Sequence, residues 1–343
     1  MPDNQPVRRP QVLLAPDKFR STATAAELRE TMASAARKAR WSSHALPLTD
    51  GGEGLLAAYG GEEMVDEVTG PLGTRVQAKW RIVTDSLGVR TAVIEMAEAS
   101  GMALIGNVQR NDPIAATTFG TGELIVRAIE AGASKIVVGC GGSATTDGGQ
   151  GAIEAIGALL PNPEISLVVA CDVKTTFVDA AKIFGPQKGA TPEQVVELTE
   201  RLRSMASEYQ AKNGTDIAQL PWSGAAGGLS GGLHLLGGQL ISGFSLVAEA
   251  LHLDQQILKS DLVITGEGRL DDTSLSGKVV GELVSRCAER CPIAVIVGDS
   301  SIELEGATVI SLTKRFGPER AKSQTLELVR LVTSELLSNF NSH

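Results

Sequence analysis

An α/β fold in two parts is predicted for this chain: a parallel doubly wound sheet drawn from both chain ends, with a mixed α/β insert between them. Three observations predict it. Residues 1–70 run through consecutive strand–helix units, and residues 255–343 return to the same pattern. Such units imply a parallel sheet with helices on its faces. Between them, after Thr69-Gly70-Pro71-Leu72-Gly73, the pattern changes to alternating strands about a tight turn, an antiparallel hairpin. The expected domains are therefore residues 1–70 with 255–343, and the insert 71–254.

Taken in order, Gln11–Ala15 (QVLLA) is a short buried strand with Asp17, Lys18 and Arg20 at its carboxyl end. Thr24 and Glu27 make a capping box for a helix to about Arg40, with Ala26, Leu28, Met32, Ala35 and Ala36 inward. His44–Leu48 is a second strand, running into the glycine turn Thr49-Asp50-Gly51-Gly52-Glu53-Gly54 and a short helix. Val76–Val83 and Thr91–Met96 form the hairpin about Asp85–Gly88, and a helix from Thr117 reaches Ala131. The stretch Lys135–Leu160 then joins a buried strand (Ile136, Val137, Val138) to an amphipathic helix through Gly141-Gly142-Ser143-Ala144-Thr145-Thr146-Asp147-Gly148-Gly149. Leu167–Cys171 is a strand ending at Asp172, and Phe184–Ala190 is a polar loop carrying Lys188. A long helix from Thr191 to about Lys212 presents alternating charge to solvent, and Gly224–Gly238 is rich enough in small residues for a closely packed helix. Asp261–Thr265 delivers the loop Gly266–Lys278. A helix to about Arg290, strands Ile293–Val297 and Thr308–Leu312, and a helix Glu319–Leu337 close the chain.

Bulk properties exclude several function classes. At 43% hydrophobic and 21% charged residues, 343 residues suffice for two domains with sizeable cores. A net charge of −9 argues against a nucleic-acid partner, and 3% aromatic residues leave little for base stacking. No apolar run approaches the ~18 residues of a spanning helix, and none of signal-peptide length follows Arg8 and Arg9. Cys140, Cys171, Cys287 and Cys291 are too few for a disulfide scaffold. Cys287 and Cys291 have no second Cys/His pair to complete a zinc site. A cytoplasmic enzyme acting on a small molecule is expected, with no nucleic acid and no membrane; monomer and homodimer both stay open.

The strand-end loops carry the chemistry. Asp17/Lys18/Arg20, Asp50/Glu53, Asp147, Asp172, Lys188 and Glu267/Arg269/Asp271/Lys278 combine glycine, carboxylate and cation. In open parallel sheets ligands bind beyond the carboxyl ends of strands. Glycine-rich backbone donors and cations suit phosphate, and carboxylates beside them suit a hard metal such as Mg²⁺. Together they are the parts that phosphoryl transfer needs. The turn 141–149 has two readings, a phosphate cradle at a helix N-terminus or a tight turn with Asp147 as N-cap. There is no GxxxxGK[ST] loop and no HRD or DFG set. Gly139-Cys140-Gly141 does not complete GxGxxG, because Ala144 stands last. His44, His234 and His252 lie in apolar or helical surroundings, so general-base work falls to a carboxylate.

Ala15-Pro16-Asp17-Lys18-Phe19, TDGGEG (49–54), VTGPLG (68–73), IEMAEASG (94–101), RNDP with TTFGTGEL (110–124), GCGGSATTDGG (139–149), VACDV (169–173), IFGPQKGA (183–190), GAAGG (224–228) and TGEGRLDDTSLSGK (265–278) occur in this order. With them the chain resembles the bacterial glycerate kinases that lack a P-loop. The resemblance implies phosphorylation of D-glycerate, generally to 2-phosphoglycerate, with ATP and Mg²⁺. It also implies a Rossmann-like domain from both chain ends, an inserted α/β domain and a site in the cleft between them. Arg20 stands where the family more often has lysine, Thr146 where it often has Asn, and Thr273 where it often has Gln. The 160–167 segment and the C-terminal part are shorter than usual.

On this basis Lys18 and Arg20, with Arg269 or Lys278, are expected to hold the glycerate carboxylate and the transferring phosphoryl group. Gly141, Gly142, Ser143, Thr145, Gly148, Gly149 and Lys188 are expected to bind nucleotide phosphates. Asp50, Gly51, Gly52, Glu53, Glu267 and Ser274 are assigned to substrate, Asp172 and Asp271 to Mg²⁺, and Asp17 or Asp147 to proton abstraction. A 3-phosphoglycerate-forming kinase, an isomerase or mutase of phosphorylated hydroxy acids, and a non-catalytic glycerate sensor are the alternatives.

Overall fold

The computed structural model describes residues 8–19, 21–275 and 277–340. Arg20 therefore lies outside the described residues. In chain order the strands are β1 (Gln11–Leu14), β2 (Ser42–Ala45), β3 (Glu62–Thr69), β4 (Arg75–Thr84), β5 (Arg90–Glu95), β6 (Lys135–Cys140), β7 (Ser166–Cys171), β8 (Gln239–Ser242), β9 (Leu262–Leu270), β10 (Ile293–Ser300) and β11 (Thr308–Ser311). The chain divides into two compact units, residues 1–49 with 248–343, and residues 50–247.

Unit 1 holds a five-stranded, wholly parallel sheet in the order β11-β10-β9-β1-β2. The inner strands β1, β9 and β10 carry near-continuous buried apolar runs because both faces are covered, whereas the edge strand β2 is Ser-Ser-His-Ala with no buried residue. Val12, Leu14, Ile264 and Ile296 pack with Phe19, Leu28, Met32, Leu328 and Val332 into one core. The helix Ala25–Lys38 begins at the expected box: Thr24 caps Glu27 N–H while the Glu27 carboxylate accepts from Thr24 N–H. From β1 the chain moves outward to β2 on one side, and from β9 outward through β10 to β11 on the other. The direction of winding thus reverses between β1 and β9.

Unit 2 holds a six-stranded sheet in the order β3-β4-β5-β6-β7-β8, antiparallel from β3 to β5 and parallel from β5 to β8. The expected hairpin is β4–β5. Its core combines Trp80, Ile94, Leu124, Ile136, Val138, Val169, Leu229 and Leu233. A second cluster, built on Phe177, Leu198, Leu202 and Ile217, fastens the helix Pro192–Asn213.

Several differences from the sequence reading have physical reasons. The first junction falls at 49/50, not at 70/71, because β3 pairs along its full length with β4, and the second falls at 247/248, not at 254/255. The sequence reading placed no strand at EEMVDEVT, because an edge strand needs little apolar surface and blocks further pairing with charge. β9 and β10 run to Leu270 and Ser300, since they pair with each other through Asp299–Arg269 and Ser300–Leu270. Glu267 and Arg269 are therefore strand residues, not loop residues. The last helical segment is three helices, Leu312–Phe316, Pro318–Ser323 and Thr325–Phe340.

Candidate active site

In unit 2 the 50–54 turn touches the loops that follow β6 and β8 backbone to backbone. A Cβ on Gly51, whose φ is +94°, would come 2.3 Å from Gly243 Cα, and one on Gly141 would come 2.7 Å from Gly52 Cα. Gly51 and Gly52 are buried and serve this close approach, where the sequence reading gave them to substrate. Asp50 and Asp172, both part-exposed, flank the junction, with Asp50 Oδ1 3.4 Å from Gly52 N and Gly141 beside Asp172 Oδ2. Glu53 is exposed. Glu95, only 7% exposed, closes the turn from below: its Oε1 accepts from Gly54 N and Leu56 N, each at 2.9 Å. Burial raises the Glu95 pKa against those two bonds.

The 141–149 turn is mostly interior. Only Gly142 is exposed and Ser143 part-exposed; Ala144 to Gly149 are buried. The turn is pinned outside by Met102 N to Gly142 O and Ala144 N to Ser100 O, and inside by Gly148 N to Gly227 O. Asp147, 2% exposed, accepts four hydrogen bonds: Thr118 N and Thr118 Oγ1 at 2.7 Å and Gly151 N at 3.2 Å on Oδ2, and Gly149 N at 3.1 Å on Oδ1. Thr118 Oγ1 in turn accepts from Ala152 N. The first donors of the helix Gln150–Ile156 are thus taken by protein, so the expectation that this N-terminus receives phosphate is corrected. The N-cap residue itself is Gly149, and Asp147 works one turn away as the acceptor for that end. Gly148 packs on Met205 and Phe177, and Gly149 on Leu229 and Gly232. What the turn offers a ligand is its tip, Gly142–Ser143, with Gly141 buried against Gly52.

Behind the tip lies Lys188, 3% exposed, whose Nζ donates to Thr145 O at 2.6 Å. Burial lowers the Lys188 pKa to about 8 against the opposing pull of Asp147 and Asp172. Asn111 Nδ2 ties the segments together by donating to Ala144 O and Lys188 O, at 3.0 and 2.8 Å. Thr145 Oγ1, Thr146 Oγ1 and Asn111 Oδ1 are buried without a hydrogen-bond partner among the described residues. The sequence reading missed Asn111, Thr118 and Glu95 as supports. Their only signal was membership in short polar motifs, and what each one holds is distant in the chain.

In unit 1 the winding reverses between β1 and β9, the place where doubly wound sheets bind ligands. Asp17 sits there, its N–H bonded to Gly266 O at 2.8 Å and its Oδ1 accepting from Lys18 N at 2.7 Å. Asp17, Lys18 and Lys278 are part-exposed, and Arg269 is exposed. Glu267, on β9, is 7% exposed, and its Oε1 has no hydrogen-bond partner among the described residues. Its pKa rises to about 7: burial drives it, the Ser274 hydroxyl and Lys278 oppose, and Asp17 and Asp271 add to the rise. Ser274, fully buried, braces the following turn: its Oγ accepts from Asp271 N at 3.2 Å, and its N–H bonds Asp271 O.

The donors suit a magnesium ion that arrives on phosphates more than a resident cage. Among the described residues no three His, Cys, Asp or Glu side chains gather into a metal group. Mg²⁺ held with a nucleotide needs only one or two protein carboxylates. Asp271 Oδ2 lies 3.9 Å from Arg269 Nε, and Asp172 follows β7 with its Oδ2 beside Gly141. Among the described residues no helix is long and apolar enough to cross a membrane.

The model of the glycerate kinase family matches residues 12–164 and 159–338. The chain is similar to the glycerate 2-kinase of Escherichia coli K12, at 38% identity over 78% of this chain and 80% of that one. It is similar to the glycerate kinase of Halalkalibacterium halodurans, at 35% identity over 83% and 84%. A solved structure of a glycerate kinase 2 from Salmonella typhimurium LT2 superposes with a TM-score of 0.79 at 32% identity, covering 98% of this chain and 99% of that one.

Proposed function

This chain belongs to the glycerate kinase family and is a phosphotransferase, and on that premise we propose that it transfers the terminal phosphoryl group of ATP to the 2-hydroxyl of D-glycerate. The observation that carries this reading is the switch point of unit 1. There Asp17, Lys18, Glu267 and Lys278 set cations and carboxylates together at the ends of β1 and β9. Lys18 and Arg20, with Arg269 and Lys278, hold the glycerate carboxylate and neutralise the transferring phosphoryl oxygens. The tip Gly142–Ser143 offers backbone N–H and hydroxyl donors to nucleotide phosphates, and Lys188 adds positive charge behind it. Asp50 and Glu53 hydrogen-bond the substrate, and Asp172 contributes the carboxylate for magnesium. Bound with the nucleotide, that ion would offset the charge on its phosphates. Asp147, held by three backbone N–H donors and the Thr118 hydroxyl, keeps the turn in shape and is not the base.

Phosphorus NMR of the protein with ATP, Mg²⁺ and D-glycerate tests the reading. A 2-phosphoglycerate resonance growing with ADP is the expected result. A 3-phosphoglycerate resonance would keep the kinase and overturn the hydroxyl assigned. Binding of glycerate without any product would leave a sensor.

A further inference from the structure

The kinase reading requires a group to take the hydroxyl proton, and the described residues differ sharply in fitness for it. Asp147 already accepts from four protein donors, three on Oδ2 and one on Oδ1. Asp17 is part-exposed, and its Oδ1 already accepts from its neighbour's backbone N–H. Glu267 differs from both. It stands on a central strand of unit 1, beside the reversal of winding, with one oxygen buried and unmet by any donor among the described residues. The other side of the carboxyl is steadied by Ser274. A buried polar atom without a partner is rare in folded proteins and marks a place where a ligand supplies the missing bond.

Resting on the kinase reading, we infer that Glu267 is a catalytic residue: its unpartnered Oε1 accepts the proton of the attacking glycerate hydroxyl. The hydroxyl O–H bond breaks and its proton passes to Oε1. The freed electron pair forms the new bond to the γ-phosphorus of the nucleoside triphosphate. The bond from that phosphorus to the β,γ-bridging oxygen breaks, and its electrons leave with the nucleoside diphosphate. Glu267 then returns the proton to solvent.

The charges around Glu267 suit the task. Lys278 favours the carboxylate, Asp17 and Asp271 disfavour it, and along the same face of the sheet Arg269 stands next on β9 with Asp299 in register on β10. The balance, dominated by burial, leaves the group titrating at about 7, where a base is both deprotonated in good measure and strong enough to act. The sequence reading placed Glu267 among substrate contacts, because burial and the extension of β9 are invisible in the motif TGEGRL.

The test is steady-state kinetics of the full chain with ATP, Mg²⁺ and D-glycerate across pH 5.5–9. Glu267→Gln keeps size and the Ser274 contact, and should lower kcat about 10²- to 10⁴-fold while the glycerate KM moves little. The acid limb of kcat/KM should vanish with it. Ser274→Ala, which removes a bond that favours the carboxylate, should move that limb to higher pH, a shift no purely structural role produces. The same variant decides the question if Glu267→Gln does not fold. A folded Glu267→Gln enzyme with wild-type kcat, or an acid limb unmoved in Ser274→Ala, overturns the inference while leaving the kinase reading intact. Absence of ADP formation by the wild-type chain would instead sink the kinase reading itself.

Discussion

The 141–149 turn of unit 2 and the end of β9 in unit 1 read alike as sequence: glycines, hydroxyl residues and acids. As structures they are opposites. Asp147 is buried and holds four donors, so its burial stabilises two helix starts. Glu267 is almost as buried and leaves one oxygen unmet. Burial of a saturated carboxylate is architecture, whereas burial of an unsatisfied one is a local cost that only a function explains.

The largest effect that would sharpen this contrast is at Asp147. Asp147→Ala should lower the unfolding free energy by roughly 3–5 kcal/mol, because several buried N–H groups lose their acceptor at about 1–3 kcal/mol apiece. Urea denaturation measures it. A loss below about 1 kcal/mol with abolished turnover would return Asp147 to the chemistry and break the comparison.

Glu267→Gln should do the reverse. The folded-state pKa, about 7, lies above the ordinary 4.5, so between those values the folded protein keeps a proton that the unfolded chain has released. Wild-type stability therefore falls as pH rises through that window; the cost is absent below 4.5 and complete above 7. Glu267→Gln, with no such proton to lose, should be more stable than wild type by about 2–3 kcal/mol at pH 8 and gain nothing of the kind at pH 4.5. Equal stability differences at both pH values would show that Glu267 is not strained by burial.

Gly51→Ala should cost about 2 kcal/mol, since its Cβ meets Gly243 Cα and its φ is positive; thermal unfolding reports it. A neutral outcome would free Gly51 for the substrate role that the sequence suggested. The smallest effect is expected at the tip. Ser143→Ala should change stability by less than about 0.5 kcal/mol while raising the ATP KM several-fold. A stability loss like that of Gly51→Ala would make the tip structural as well.

Much of the fold was legible. The capping box at Thr24, the β4–β5 hairpin and the apolar runs of β1, β6 and β7 follow from local rules of period and composition. The edge strand β3 and the four-residue β8 were not, because edge pairing is decided by neighbours and leaves little apolar signal. Of the site, the motifs marked the right loops but could not sort the residues within them. Gly51, Gly52, Gly148 and Gly149 read as ligand cradle and turned out to be packing surfaces.

The sequence by itself determined which strand ends carry carboxylates, cations and glycines, and through them the family, since those are matters of residue type and order. Only the tertiary structure decided which carboxylate is saturated and which is left short of a donor. That depends on partners such as Thr118 for Asp147, 29 residues away, and on the sheet that buries Glu267. Hydrogen-bond satisfaction and desolvation are properties of an environment, and no single stretch of chain contains one.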